Sequence, residues 1–261
     1  ASDAKWIEEE EVDVEDSSYQ KSWGFAAPGQ TDSKRSKDLS KHVTDEVFNT
    51  ASHMIAAMLS VVGTMCLVAS SASQGNVWKI VCFSIYGLTL INLFVSSTIH
   101  HGLHCSPGVN ATLRMLDYVA IYPFIAGTFT PLCLVFLHNS WIGWGFFGLI
   151  WVEAAFGMTL NIVFYRKIPQ WMTMTLYMSM GWTGAFLFFP LLPHLGYYGV
   201  SLLLIGGISY TIGGGIFVAE SPNPFPGIFG FHEIWHIFVI LGALCHWSLM
   251  FLFVLPHGDE F

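Results

Sequence analysis

The fold of this chain is decided by residues 231–255, which read FHEIWHIFVILGALCHWSLMFLFVL. This run is apolar and long enough to cross the hydrocarbon layer of a membrane as an α-helix, which takes about 20 residues. Six further apolar runs precede it, at 47–70, 77–100, 116–138, 141–164, 171–191 and 198–219. The runs are too long and continuous for barrel strands, so the sequence predicts an all-α integral membrane bundle of seven transmembrane helices.

The distribution of charge agrees with a membrane protein. Only 11% of the 261 residues are charged and the mean hydropathy is +0.55, whereas soluble domains carry about 25% charged residues. Twelve of the 18 acidic residues and six of the ten basic residues lie in the first 46 positions. We therefore predict an acidic, disordered cytosolic tail over residues 1–46, a transmembrane domain over 47–255 and a short external tail over 256–261.

The acidic tail has two features. The run at 8–16 repels itself and has little apolar surface to bury, so we predict that it is disordered or binds a protein partner. A basic cluster close to the first apolar run is typical of an anchor to anionic lipid headgroups; it comprises Lys34, Arg35, Lys37 and Lys41. No basic stripe offsets the net charge of −8, which argues against nucleic-acid binding.

Basic residues in the short loops predict the orientation. With the N-terminus in the cytosol, nine of the ten basic residues lie on the cytosolic side, and only Lys79 lies outside. Because basic residues are enriched on the cytosolic side, this count favours a cytosolic N-terminus and an external C-terminus.

In this topology the cytosolic ends of three segments carry most of the polar chemistry. Segment 2 ends with Ser96 and His100, segment 3 begins near Asp117, and segment 7 begins with His232 and His236. Two histidines four residues apart lie on the same face of a helix. Three protein ligands plus water is the composition of a catalytic zinc site. Other roles also remain open, since a histidine at a helix end often only forms a hydrogen bond and Asp117 could cap a helix.

These residues resemble the signature of the hemolysin III / progestin and adipoQ receptor family, over roughly residues 45–255. The matching motifs are Ser96-x-x-x-His100, Asp117 seventeen residues further on, His232-x-x-x-His236, and Glu46-Val-Phe-Asn49 with His53. The resemblance implies seven transmembrane helices and Zn²⁺ held by His100, His232 and His236. It also implies that Asp117 lies near the metal-bound water and that Ser96 supports the site by a hydrogen bond.

The chemistry that this resemblance implies is hydrolysis of a lipid amide or ester, such as a ceramide-like membrane lipid. Zinc lowers the pKa of bound water to about 7, and Asp117 would orient that water or take its proton. The alternative is a non-enzymatic receptor or lipid-homeostasis protein with a structural zinc, in which Asp117 ligates the metal directly. Minor alternatives are a pore and an intramembrane metalloprotease, since His232 to His236 also reads H-E-x-x-H. In a non-protease, Glu233 is expected in the first turn of its helix, where the dipole favours an acid.

The positions of several other polar residues say less about their roles. Glu153 lies within segment 4 and is either functional or a hydrogen-bonded core carboxyl. His101 and His104 fall in the loop after segment 2; they could bind stray metal there, but we expect solvated side chains. His53 either approaches the cytosolic cluster or caps segment 1. His246 lies ten residues beyond His236, about 15 Å along the helix, which is too far to join the site.

Overall fold

The structure is a computed structural model that describes residues 37, 40, 42–165 and 167–258. The predictions for the acidic run at 8–16 and for Lys34, Arg35 and Lys41 lie outside the described residues. The described chain is helical apart from its connections and two isolated β-bridges. The helices are α1 Val47–Ser73, α2 Val77–Gly102, α3 Pro107–Phe136, α4 Trp141–Val163, α5 Gln170–Thr183, α6 Phe188–Ala219 and α7 Phe231–Leu249. A 3₁₀ turn, Gly184–Leu187, joins α5 to α6, and a π-helical turn, Met250–Val254, extends α7.

Local signals explain where the helices begin. The side chain of Asn76 accepts a hydrogen bond from the backbone N–H of Lys79 at 2.9 Å, and that of Ser140 accepts one from Ile142 at 3.2 Å. Proline occupies the first position of α3, where its missing N–H is not needed. Because α3 begins at Pro107, before the predicted apolar run, Asp117 lies well inside this helix. The interpretation of Asp117 as a helix cap was therefore wrong.

Six stretches of the described chain are long and apolar enough to cross a membrane, and one of them, Gln170–Ala219, has 50 residues. This stretch is interrupted at Gly196, whose φ of 59° and ψ of −176° fall in a region that essentially only glycine adopts. Trp182 Nε1 donates a hydrogen bond to Thr211 Oγ1 at 3.0 Å, across the interruption. The chain therefore folds back at Gly196. The number of seven crossings and the cytosolic N-terminus stay predictions.

The bundle is built around α3. In its most apolar window 83% of the residues are buried, compared with 28% to 44% in the other candidate spans. The outer helices present large apolar side chains outward, including Leu59, Val152 and Phe186, which are 65%, 66% and 80% exposed. An apolar exterior is what hydrocarbon surroundings require, because lipid tails offer no partner for a polar group.

Glycines bring α6 and α7 into close contact. A Cβ atom added at Gly213 would lie 2.6 Å from the Cβ of Phe238 and 2.9 Å from a ring carbon of Trp235. Only a residue without a side chain fits there, as at many helix contacts in membranes. This packing fixes the first turns of α7, which carry His232 and His236, against the end of α6.

Candidate metal centre

Three buried histidines from two helices meet at one end of the bundle. His101 lies near the C-terminus of α2, and His232 and His236 lie in the first turns of α7. One ligand nitrogen from each of them lies within 4.8 Å of the others. The ring centroid of His101 is 4.9 Å from each of the other two rings. The chain thus brings three imidazoles to one point.

A carboxylate orients the His101 ring. Nδ1 of His101 lies 2.8 Å from Oε2 of Glu46, the residue before α1, and donates its proton there, while Nε2 has no hydrogen-bond partner among the described residues. Burial alone would raise the pKa of Glu46, but its hydrogen bond to His101 and the charges of His101 and His232 hold that pKa at about 2. A metal-binding histidine usually donates its second ring N–H in this way, which leaves the other nitrogen for the metal.

The geometry of the three histidines fits a divalent metal ion. Nε2 of His232 and Nε2 of His236 are 3.1 Å apart, close to the roughly 3.3 Å that a tetrahedral site with Zn–N bonds of about 2.0–2.1 Å sets between two ligands. A hydrogen bond between the two imidazoles would also account for this distance. It would still leave Nε2 of His101, in the ring 4.9 Å from both, buried without a partner, as are the ring nitrogens of His53 and His100. Buried polar groups usually have a partner.

Asp117 reaches the same cluster from α3. It forms a second group with His100 and His101, in which one ligand atom from each residue lies within 4.8 Å of the others. The side chain of Ser97 lies close enough to the Asp117 carboxylate to interact with it. Ser97 lies one turn before His101 on α2, so one face of that helix supplies both an imidazole and the group beside the acid.

Glu233 has a structural role in this cluster. Its Oε2 accepts a hydrogen bond from the backbone N–H of Gly230 at 2.8 Å, which caps α7. Its Oε1 accepts hydrogen bonds from Thr44 Oγ1 at 2.7 Å and Asn49 Nδ2 at 2.8 Å. Asn49 Nδ2 also donates to Oε2 of Glu46 at 2.9 Å. The carboxylate of Glu233 therefore ties α7 to the start of α1, in the first turn where it was expected.

His53 completes the contribution of α1. Its ring stacks on the ring of His236, with centroids 3.6 Å apart and an interplanar angle of 8°, and meets Phe94 edge-on at 5.0 Å. His53 is 3% exposed. Of the two interpretations of His53, its approach to the histidine cluster is confirmed.

A cavity of about 400 Å³ opens from this cluster into the bundle. Ser97, Asp117, His232 and His236 lie along its wall at the histidine cluster, and His246 lines it further along α7. Most of the remaining wall is apolar and comes from α3, α5 and α6. A long, mostly apolar cavity with a few polar groups at one end suits an amphipathic ligand.

Comparison with known proteins gives the family. The sequence model of the family described as Haemolysin-III related matches residues 41–247, most of the chain. The chain belongs to the haemolysin-III-related family. Hemolysin-3 of Bacillus cereus is 34% identical over 218 residues, which cover 84% of this chain and 95% of that protein. The Hemolysin-3 homolog of Bacillus subtilis (strain 168) is 33% identical over 201 residues, which cover 77% of this chain and 90% of that protein.

The family extends beyond bacteria. The human protein named Monocyte to macrophage differentiation factor is 26% identical over 223 residues, which cover 82% of this chain and 86% of that protein. The resemblance to the hemolysin III and adipoQ receptor family is thereby confirmed. Together with the six apolar helices, family membership establishes a multi-pass integral membrane protein.

Within this haemolysin-III-related chain, the candidate metal cluster contains the neighbour of the histidine predicted on α2. The structure places His101 with His232 and His236, and it places the predicted ligand His100 with His101 and Asp117. It places Ser97 beside Asp117, whereas the predicted Ser96 is only half-buried. The roles of His100 and Ser96 as ligand and supporting residue stay predictions.

The expectation that His101 is solvated was wrong. Helix α2 runs to Gly102, two residues past the predicted apolar run, and His101 is 1% exposed. One residue is a rotation of about 100° on a helix, which turns His101 toward α7. His104 follows the helix and is exposed, as expected. Glu153 is half-buried and accepts a hydrogen bond from Thr183 Oγ1 at 3.4 Å, between α4 and α5.

Two signals in the sequence point to the residues that the structure groups at this end of the bundle. Ser96-Ser97 and His100-His101 are doublets, so the pattern S-x-x-x-H occurs in two registers. Glu46, Asn49 and His53 are spaced by three and four residues, which places them on one face of α1. That spacing, rather than the individual residue types, identifies α1 as a helix that supports the cluster.

Proposed function

We propose that this protein is a zinc-dependent hydrolase of a lipid amide or ester, with a ceramide-like substrate, acting at the cytosolic end of a seven-crossing bundle whose N-terminus is cytosolic. The observation that carries the proposal is the position of the cavity. Its apolar wall leads directly to His232, His236 and Asp117. An acyl chain inserted there would bring its carbonyl group to the histidine cluster.

The proposed ligands are His101, His232 and His236. Zinc bound there would supply a Lewis acid for the carbonyl and a source of nucleophilic water near neutral pH. Glu46 holds the proton on Nδ1 of His101, so that Nε2 presents its lone pair. In the ligand set predicted from the sequence, His100 takes the place of His101. The ring of His100 has no carboxylate partner of this kind among the described hydrogen bonds.

The remaining residues supply positioning and proton transfer. Asp117, beside the Ser97 side chain, would accept a proton from the attacking water and return it to the leaving nitrogen or oxygen. The water oxygen forms a bond to the acyl carbon and the C–N or C–O bond breaks. The products are a fatty acid and an amine or alcohol. The apolar wall holds the acyl chain and limits the access of bulk water.

One observation favours a second candidate function. A carboxylate oxygen of Asp117 lies within 4.8 Å of a ring nitrogen of His101, so both residues could bind the same metal ion. If Asp117 ligated the metal directly, the site would have four protein ligands, as structural zinc sites do. The protein would then be a receptor or a lipid-homeostasis protein whose zinc stabilises the bundle.

The test uses purified protein in lipid nanodiscs, with bound metal and fatty-acid release measured on the same samples. The substrates are an octadecanoyl ceramide and an octadecanoyl ester. We expect about one zinc ion per chain and hydrolysis in the wild type. Asp117→Asn should keep the metal and lower the rate by about 10²- to 10⁴-fold, the usual contribution of a general base. The exposed loop variant His104→Ala serves as the control and should match the wild type.

The two candidate functions give different outcomes. A wild type that binds zinc, releases no fatty acid, and loses its zinc in Asp117→Asn would support the four-ligand structural site. Full hydrolysis in chelator-treated protein would refute a zinc-dependent hydrolase.

A further inference from the structure

One basic residue of the tail has its hydrogen-bond partners in the helix bundle. The side-chain Nζ of Lys37 donates hydrogen bonds to the backbone carbonyl oxygens of His101 at 2.5 Å, Leu103 at 2.8 Å and His100 at 3.2 Å. An ammonium group has three N–H donors, so the three carbonyls use all of them. Lys37 therefore binds the end of α2, at the turn that carries the candidate ligand His101.

Helix α2 ends in a way that leaves these carbonyls in need of a donor. Leu103 follows the helix in an extended conformation, with φ −93° and ψ 132°, and its N–H donates to the carbonyl of Ile99. The carbonyls after Ile99 belong to the last turn, for which a helix has no further N–H group. A positive charge at a helix C-terminus also interacts favourably with the helix dipole. The ammonium of Lys37 is thus the C-terminal cap of α2.

The backbone of Lys37 contacts the carboxylate that orients His101. The backbone nitrogen of Lys37 donates to Oε1 of Glu46 at 3.4 Å, and Oε2 of the same carboxylate lies 2.8 Å from Nδ1 of His101. Nη1 of Arg114, a buried residue of α3, donates to the carbonyl oxygen of Lys37 at 3.5 Å. Lys37 is therefore in contact with both the backbone of His101 and the acid that holds its ring.

A second lysine forms the same kind of contact far from the histidine cluster. Nζ of Lys79, near the start of α2, donates to the carbonyl oxygens of His257 at 2.6 Å and Leu255 at 2.9 Å, which follow the π-helical turn at the end of α7. Lys79 lies 22 residues before His101 on the same helix, which corresponds to about 33 Å. Replacing Lys79 therefore tests how the loss of a capping lysine affects stability alone.

We propose that Lys37 is a positioning residue for the metal cluster, and that its docking on the last turn of α2 couples the tail to metal binding by His101. The inference rests on the ligands of the proposed function. Without Lys37 the last turn of α2 frays, and the apparent affinity for metal falls with the fraction of molecules in which His101 is in place. Residues that support a metal ligand contribute about 10- to 100-fold in affinity, and we expect about tenfold for Lys37.

The first experiment measures zinc affinity in lipid nanodiscs, together with the melting temperature of the metal-free protein. Lys37→Met keeps an unbranched side chain without the charge, and it should weaken zinc binding by about tenfold. Lys37→Arg should stay within about threefold of the wild type, because a guanidinium keeps the charge and the N–H donors. Lys79→Met should lower the melting temperature and keep the wild-type affinity for zinc.

The second experiment measures the same coupling from the side of the tail. The wild type is treated with N-acetoxysuccinimide, an amine-acetylating reagent, and the rate at each lysine is followed by mass spectrometry with and without zinc. Only an undocked ammonium reacts, and coupling between two sites is reciprocal, so zinc should slow the acetylation of Lys37 by about tenfold. Lys167, which is exposed in the connection between α4 and α5, should react at the same rate in both samples.

The outcomes separate this inference from the proposed function. A folded Lys37→Met protein with wild-type zinc affinity would overturn the positioning role, as would acetylation of Lys37 that does not depend on zinc. Equal losses of affinity in Lys37→Met and Lys79→Met would also overturn it, because both lysines would then act through stability. A wild type that binds no zinc would overturn the metal centre and this inference with it. Coupled zinc binding without release of fatty acid from the ceramide or the ester would overturn the proposed hydrolase alone.

Discussion

Replacing His101 with alanine is expected to remove the metal, whereas replacing its neighbour His100 is not. Nε2 of His101 is buried without a partner among the described residues, its ring lies 4.9 Å from the rings of His232 and His236, and its other nitrogen is fixed by Glu46. His100 lies on the same helix but about 100° away. The two substitutions remove the same side chain from adjacent positions, so each is the natural control for the other.

The size of the expected effect follows from these contacts. Loss of a residue that only supports a metal ligand costs about 10- to 100-fold in affinity. His101→Ala removes a ligand and its support together, so we expect a loss of at least about 100-fold, or about 2.8 kcal/mol at 1.4 kcal/mol per tenfold. His100→Ala leaves the three-histidine cluster complete, and we expect a change below about tenfold, under the range for supporting residues.

The assay is metal content by mass spectrometry after equilibration of nanodisc samples in zinc buffers that span several orders of magnitude of free metal. Thermal unfolding of the same samples shows whether each variant is folded. A folded His101→Ala protein that keeps the wild-type affinity would refute the assignment of His101. Loss of zinc in His100→Ala alone would restore the assignment made from the sequence.

Three further predictions concern the residues around the cluster. Glu46→Gln should weaken metal binding by about 10- to 100-fold, measured in the same zinc buffers, and unchanged affinity would show that the contact with His101 does not orient a ligand. Glu233→Gln should lower the free energy of unfolding by about 1–3 kcal/mol, because a buried hydrogen bond at the start of α7 loses its acceptor, and should leave the metal content unchanged. Gly213→Ala should destabilise the bundle by about 1–3 kcal/mol through overpacking. Gly207→Ala, whose Cβ would meet open space, should be neutral or stabilising; similar melting temperatures for the two glycine variants would contradict the close contact of α6 and α7.

Much of the helical architecture could be predicted because lipid imposes a simple rule. A spanning segment must satisfy its backbone internally and be apolar over about 20 residues, so helix positions follow from hydropathy. The run predicted at 141–164 became helix Trp141–Val163. Hydropathy does not reveal polar helical extensions, and the first two turns of α3, from Pro107, were missed for this reason. It also does not reveal how the chain reverses at Gly196, which depends on one backbone conformation.

The site was harder to predict, because it depends on rotation about the helix axis. Hydropathy gives the ends of α2 and α7 to within a few residues, but choosing between His100 and His101 requires an error below one residue. In the folded chain, contacts with other helices determine which of the two histidines faces α7. Glu46 lies on the side that His101 faces, and Ser97 follows the same face back to Asp117. None of these contacts is local in sequence, so the sequence alone does not distinguish His100 from His101.

The contacts of Glu233 determine whether the sequence from His232 to His236 can act as a zinc-protease motif. In a zinc protease of the H-E-x-x-H type the glutamate must reach the metal-bound water as a general base. Here both oxygens of Glu233 are occupied, one by the Gly230 N–H and the other by Thr44 and Asn49, and Glu233 is fully buried. Freeing either oxygen would expose unpaired donors at the helix start, at a cost in stability for each one. The acid that lines the cavity beside these histidines is Asp117. Among the described acids at this end of the bundle, only this residue of α3 is therefore placed to accept a proton in the proposed hydrolysis.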